Sequence, residues 1–385
     1  MHTDRKIIIT FLALLLLQSC SSLSSREANQ VFDNAFKQEQ ATADLLAAYD
    51  HISPFKNGFA EVVIDNKRGF IDKRGKQVVA CKYDFTFDFK DGFAVVETGK
   101  KYGVIDTTGK EITPLKYDFV MSFENGRAMV KLDSKWGYID EKGLEIIPVV
   151  YDNANDFTEE LSTVKQNKQW YIIDKMNHKQ AVPHKCTSLS SFNEGLASIE
   201  IGGKSGCMNK QGQIVIRPEY DAVFFFNEGL AAVELNNKHG FINTKGQVIV
   251  PLIYEGYPSF MNGLAAVNQN DQYGFIDKTG KVVIPIQYRS VFNFYNGLAA
   301  VYVGSKLGCI DQSGTMIIPA IYEQIQTGEG IIGVIAEGKA KFLDGQGKEL
   351  FPEVYEDLYG FSDGVALVKQ NGSWFYIDKK GKRLF

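Results

Sequence analysis

A chain of 385 residues would ordinarily hold two or three domains, and 44% apolar content with 36 glycines but only 10 prolines excludes a disordered polymer. A net charge of −4 gives no bulk attraction to phosphate backbones, which argues against nucleic acid as the main partner. Five cysteines form no obvious disulfide framework.

The N-terminus reads as an export signal. Arg5 and Lys6 precede an apolar run from Ile7 to Leu17, too short to span a bilayer but suited to the core of a secretory signal. Leu17-Gln18-Ser19-Cys20 resembles the lipobox of bacterial lipoproteins, although Gln18 departs from the small or aliphatic residue usual there. The resemblance implies a signal peptide at 1–19 and a lipid on Cys20, a tether to which each buried acyl CH₂ contributes about 0.8 kcal/mol. Ser21 and Ser22, with no Asp after the cysteine, favour the outer membrane, on its periplasmic or surface face. A Ser-rich spacer at 21–25 leads into a run without Gly or Pro, where Val31 with Ala35 and Phe32 with Phe36 share helical faces. One short amphipathic helix is predicted there, so 20–48 form the lipidated cysteine, spacer and helix.

From about Tyr49 to the C-terminus the chain repeats itself. The glycine of a Phe-x-x-Gly step falls at 58, 92, 126, 195, 229, 263, 297, 330 and 364, with Glu160 in its place in the fourth unit. That makes ten units of about 34 residues. Two residues after the glycine comes a small residue, as at Ala60, Ala128 and Ala231, and two further on an aliphatic one, as at Val62, Val130 and Val233. Such alternation predicts a strand with one crowded, core-facing side. A second strand follows, as in Trp136-Gly137-Tyr138-Ile139-Asp140, and its mid-strand glycine predicts a neighbouring ring laid over bare backbone. Asp-x-x-Gly, as in Asp277-Lys278-Thr279-Gly280, closes a hairpin; Asn209 and Asn243 replace the Asp, which marks turn chemistry and not catalysis. A third strand, as in Ile146-Ile147-Pro148 before Tyr151-Asp152, carries a proline that requires a bulge or an exposed edge.

Taken together, these motifs resemble the WG-repeat (KWG-type) family of bacterial proteins over 49–385, although strict Trp-Gly occurs only at Trp136-Gly137. The family is defined by architecture, so the resemblance implies an all-β repeat array and no particular activity. Three strands per unit leave no room for a helix. An open β-solenoid or superhelix is favoured, because ten blades of three strands would make a thin propeller. Propeller-like closure is the near alternative: Leu46-Ala47-Ala48-Tyr49-Asp50 looks like a third-strand ending, and the C-terminus stops just before one.

Chemistry should stand out as a departure from the repeat. The fourth unit places His178, His184 and Cys186 at altered positions, a spacing that matches no standard zinc site; drift is the simpler reading. The ninth unit, with Gly328, Gly330 and Gly333, reads as a bend or interruption. Cys207 and Cys309 read as core, and His51 and His239 as surface. No cofactor or metal is expected. Binding is assigned to variable positions: Ala232, Glu234, Lys238 and His239 in the sixth unit, and above all the rings of Phe85, Phe87, Phe224, Phe225, Phe292 and Tyr295. The reading is a non-enzymatic scaffold at the cell envelope, tethered by its N-terminal lipid, that recognises protein, peptide or glycan. The alternatives are a purely structural envelope element or a hydrolase with its site in a repeat-formed channel.

Overall fold

The computed structural model describes residues 46, 48–256 and 258–384. The lipobox cysteine lies outside them, as does the predicted helix over 26–48 except at Leu46 and Ala48. The complete elements described are all strands.

Each unit folds into its own small antiparallel sheet, ten in all, with strands in sequential order. The third unit shows the plan: Phe119–Val120, Arg127–Leu132, Lys135–Asp140 and Glu145–Tyr151. Three strands were expected, but the units carry four. The extra one is only two residues long in most units and follows the Tyr-Asp step, so no alternation announces it. Where it or the last strand is too short to register, single bridges such as Val291 with Val301 and Tyr102 with Tyr117 mark its place.

On the second strand, Ala128 and Val130 are fully buried, as the alternation requires. They join Ile139, Val120 and Phe123 of their own unit and Val95 and Val104 of the unit before. Each core is therefore shared by neighbours. At about 1.5–3 kcal/mol per buried aliphatic side chain, no unit is stable alone and the array stabilises itself pair by pair.

The mid-strand glycine answers to backbone and not to a ring. A Cβ on Gly137 would meet Ile147 O at 2.7 Å and Pro148 C at 2.8 Å, and one on Gly206 would meet Ile216 O at 2.3 Å. The fourth strand bulges at its proline, with Trp136 opposite Tyr151 but Tyr138 opposite Ile147, and the bulge arches over the bare glycine. In the fourth unit Tyr171 replaces the glycine, and there the last strand pairs in simple register, Tyr171 with Ala181 and Ile172 with Gln180. Glycine and bulge are lost together. The Asp-x-x-Gly turn is as expected: Asp277 Oδ1 accepts from the amides of Thr279 and Lys281, and Asn243 Oδ1 from those of Lys245 and Gln247.

The array closes into a ten-bladed propeller-like ring, which overturns the preference for a solenoid. Tyr376 in the last unit donates to the carbonyl of Ser53 in the first at 2.6 Å, as Tyr138 does to Asn155 in the next unit. The rings of Phe55 and Tyr376 lie 4.7 Å apart, within the 4.5–4.9 Å of the equivalent pairs Phe241–Phe260 and Tyr138–Phe157. Ile52, Phe55, Ala60 and Val62 share one core with Ala366, Val368 and Ile377, joined by Leu46 and Tyr49. The seam repeats the geometry of the interior joints, so the twist per unit brings ten units through a full turn.

Candidate ligand-binding surface

The short first strand and the residues leading to the Phe-x-x-Gly turn form a segment with a fixed pattern. Its second and fifth residues are buried: Thr86 and Phe89, Val120 and Phe123, Leu358 and Phe361. The amide of the third donates to the second strand, as Phe87 does to Val95 O and Tyr359 to Leu367 O. Segments of successive units touch directly, for example through Asn155 Nδ2 to Leu189 O and Asn125 Nδ2 to Phe157 O. The first and fourth side chains are thus left over from packing, and so is the third in the second, eighth and tenth units, at Phe87, Phe292 and Tyr359.

The sequence-assigned rings sit on these segments. Phe85 and Phe87 are exposed and in edge contact at 5.1 Å, with the Arg68 guanidinium 5.3 Å from the Phe85 ring. Phe225 is 66% exposed, but Phe224 is half-buried against the core of the sixth and seventh units and lies 6.1 Å from the His239 ring. Phe292 and Tyr295 are both exposed, in the eighth unit. The six therefore lie on three units, and the structure directly pairs only Phe85 with Phe87.

Tyr295 belongs to a pocket of about 430 Å³ where the eighth, ninth, tenth and first units meet, with Gln326, Thr327, Tyr359, Asp363 and Pro54. The ninth unit builds it by departing from the repeat, and it is no bend: Gln324–Gly328 pairs along its length with the next strand. Where the sixth and seventh units set Phe226 against Ala231 and Phe260 against Ala265, the ninth sets Thr327 against Ile332. The ring is gone and the larger aliphatic takes up core volume above Cys309. Gly328 is required because a Cβ there would lie 2.0 Å from Phe361 O. Gln326 locks the wall, donating from Nε2 to Leu358 O and accepting at Oε1 from Gly360 N. Exposed Tyr359 completes a wall that sequence reading missed, although Tyr359 stands at the same place in its segment as Phe87.

A second pocket, of about 240 Å³, lies between the second, third and fourth units and is lined by Phe87, Lys90, Phe119, Met121, Glu124 and Asp156. Lys90 is ion-paired with Glu124. Burial, then the neighbouring Glu124 carboxylate, hold the Asp156 carboxyl above its ordinary range, with Lys90 pulling the other way.

The family described as WG containing repeat matches ten segments: 47–67, 69–102, 102–136, 136–170, 172–204, 206–238, 240–273, 273–306, 308–339 and 342–374. The chain belongs to the WG-repeat family. No curated protein matches it by sequence. Among solved structures, a crystal structure of a eukaryotic initiation factor is similar at TM-score 0.52 and 12% identity, over 79% of this chain and 98% of that one. PorZ of Porphyromonas gingivalis is similar at TM-score 0.31 and 9% identity (87% and 58% covered), and Hsv2p of Kluyveromyces lactis at TM-score 0.32 and 12% identity (58% and 92%). At these identities the likeness concerns the fold alone.

Within the WG-repeat ring some variable positions prove to be joints. Lys238, assigned to recognition, pairs with Glu255 at 2.8 Å. Lys101 pairs with Asp118 at 2.7 Å, and Asp118 also accepts from the amide of Asp133, so one carboxylate ties a lysine of one unit to a hairpin of the next. That lysine first, then the backbone amides, hold Asp118 below its usual range, burial opposing them. The signal was a lysine two residues before the glycine in most units, which reads as ordinary surface charge. Ala232 and His239 are buried, so His239 is not a surface residue; it lies 3.6 Å from the Glu234 carboxylate. In the fourth unit His178 faces Asp174, His184 faces Gly212 O and Cys186 is buried in the core, so the three have separate surroundings. Among the described residues no group of three or more His, Cys, Asp or Glu is placed to hold a metal ion. Burial pushes the Cys207 thiol up to about 12 and that of Cys309 up to about 11, as core thiols.

Proposed function

We propose that this WG-repeat ring is a non-enzymatic binding scaffold, exported and tethered to a bacterial membrane by a lipid on Cys20, that holds a protein, peptide or glycan partner on its first-strand segments. One observation carries the reading: the ninth unit abandons the repeat's Phe and Ala for Thr327 and Ile332, and the pocket this opens is flanked by the exposed rings of Tyr295 and Tyr359. Such rings need no exposure for packing, and amphipathic tyrosines are the residues that recognition surfaces favour. All-β repeat rings serve binding or structural roles equally well as scaffolds, so the partner decides between them.

The test uses the full-length protein, immobilised, against an envelope extract and a glycan array. A partner retained by the native ring and lost from a Tyr295→Ala, Tyr359→Ala double variant is the expected result. Selective retention of nothing on either would leave the purely structural role. For the tether, palmitate labelling in the bacterial host should be abolished by Cys20→Ala.

A further inference from the structure

We propose that the pocket between the second, third and fourth units binds an alkylammonium group, such as a lysine side chain carries, between the Asp156 carboxylate and the rings of Phe87 and Phe119. The proposal rests on the binding reading above and names the chemistry of a second place on the same segments.

Charge comes first. Three ionisable side chains line the pocket, and two of them satisfy each other, Lys90 with Glu124. The Asp156 carboxylate is left over: half-buried, and accepting no hydrogen bond among the described residues, although the Ser191 hydroxyl donates to its main-chain carbonyl. A partly desolvated carboxylate whose one neighbouring lysine is paired with another carboxylate is costly, and a ligand cation reduces that cost. Burial and Glu124 already push its carboxyl upward, the direction a bound cation would reverse.

The rings make the same demand. The negative face of an aromatic ring attracts cations at up to about 6 Å. Neighbouring rings of these units are already served: Arg68 lies over Phe85 at 5.3 Å and Lys131 over Trp136 at 5.2 Å. Among the described residues Phe87 and Phe119 have no cation over them, and both face the pocket. The fold holds them in place by edge contacts, Phe87 to Phe85 at 5.1 Å and Phe119 to Tyr102 at 5.5 Å. A neutral saccharide fits less well, because its hydroxyls can donate to Asp156 but leave its charge uncompensated.

Calorimetry of the full-length protein tests this with four probes: acetyl-Gly-Lys-Gly-amide, the same peptide acetylated on the lysine nitrogen, butylamine, and methyl glucoside. The lysine peptide should bind, and the acetylated peptide and the glucoside should not. Asp156→Asn should weaken binding about tenfold or more, and Phe87→Ala several-fold. If Phe87→Ala does not fold, Phe87→Leu keeps the apolar volume and removes the ring face. Affinity should fall as pH is lowered towards 4, since protonating Asp156 removes the charge the ligand needs, with Glu124 and Lys90 the other groups facing it. Tighter binding of the peptide than of butylamine assigns the group to a polypeptide, and equal binding to a free amine; either supports the ammonium site. Absence of amine binding, binding undiminished by acetylation or by Asp156→Asn, or glucoside binding instead, would overturn it. Should that happen while the Tyr295→Ala, Tyr359→Ala variant still loses its partner, the binding scaffold stands and only the ammonium site falls.

Discussion

The carboxylate of Asp363 accepts a hydrogen bond from the amide of Gly58 at 2.6 Å, across 305 positions of sequence. Glu329 makes the same bond to Gly364 in the next unit, and Glu194 to Gly229. The ring is therefore closed by the joint it uses elsewhere, with an Asp in place of the Glu. Asp363→Ala is expected to cost about 1–2 kcal/mol, and Tyr376→Phe, which loses the bond to Ser53, about 1 kcal/mol. Both should appear as a lower urea midpoint with an unchanged slope. In an open array both would be nearly silent, and small-angle scattering would show an elongated particle where the ring requires a compact disc.

The glycine under the bulge should be the least replaceable residue of each unit that has one. A Cβ at position 240 would meet Val250 O at 2.4 Å and Leu252 N at 2.8 Å, and both neighbours are backbone. Gly240→Ala is expected to cost about 2–3 kcal/mol, in the range of an overpacked core. Gly229 has open space around it but a φ of +87°, so Gly229→Ala should cost about 1–2 kcal/mol from backbone strain alone. Tyr171→Gly, which imposes the common residue on a unit without the bulge, should destabilise and not improve it. Thermal melts of the three variants would rank them.

What could be read in the residues was what repeats locally. Period-two alternation placed Ala128 and Val130 in the core, and the interchange of Asp277 with Asn243 marked a turn, because each depends on neighbours a few positions away. Closure depends on a small twist summed over ten units, and no single motif carries that sum. The bulge over Gly137 was half legible: a missing Cβ shows that something approaches, but not that it is the chain two strand lengths further on. His239 was misassigned to the surface, because a residue that varies between units looks exposed whether it faces water or a neighbouring carboxylate; Lys238 is exposed as expected, and its pairing with Glu255 is legible only from the lysine's recurrence in other units. Of the six rings, five are exposed, and Phe224 turned inward, since adjacent residues on a short strand face opposite sides.

In the ninth unit Thr327 and Ile332 should behave as one compensated change. They pair across the strands where other units set Phe against Ala. Thr327→Phe alone adds a ring beside an isoleucine already packed above Cys309, an overpacking worth about 1–3 kcal/mol. Ile332→Ala alone leaves a void, at about 2–4 kcal/mol. The double variant restores the common pair and should be more stable than the sum of the two by about 1 kcal/mol or more, a coupling that a double-mutant cycle in urea would measure. Additivity within about 0.3 kcal/mol would show the two positions to be independent.

Asp156 should lower the stability of the ring at neutral pH. Its folded-state carboxyl is raised above the ordinary 3.8, with burial the largest cause and Glu124 the next. A raised carboxyl pKa means that the unfolded chain ionises more readily than the folded one. The penalty is therefore full above the folded value, shrinks as pH falls through it, and vanishes below 3.8. Asp156→Asn should leave the protein at least as stable at pH 7, by at most about 1 kcal/mol because solvent screens a half-exposed group. The gain should disappear in melts near pH 3.5. The exposed Asp118 runs the other way: Lys101 and backbone amides lower its pKa, so its contribution is present above the ordinary value and is lost as pH falls through the depressed one. A variant pair that reversed these two pH dependences would show that Asp156 is paired in the free ring, and would remove the reason for a cation to enter its pocket.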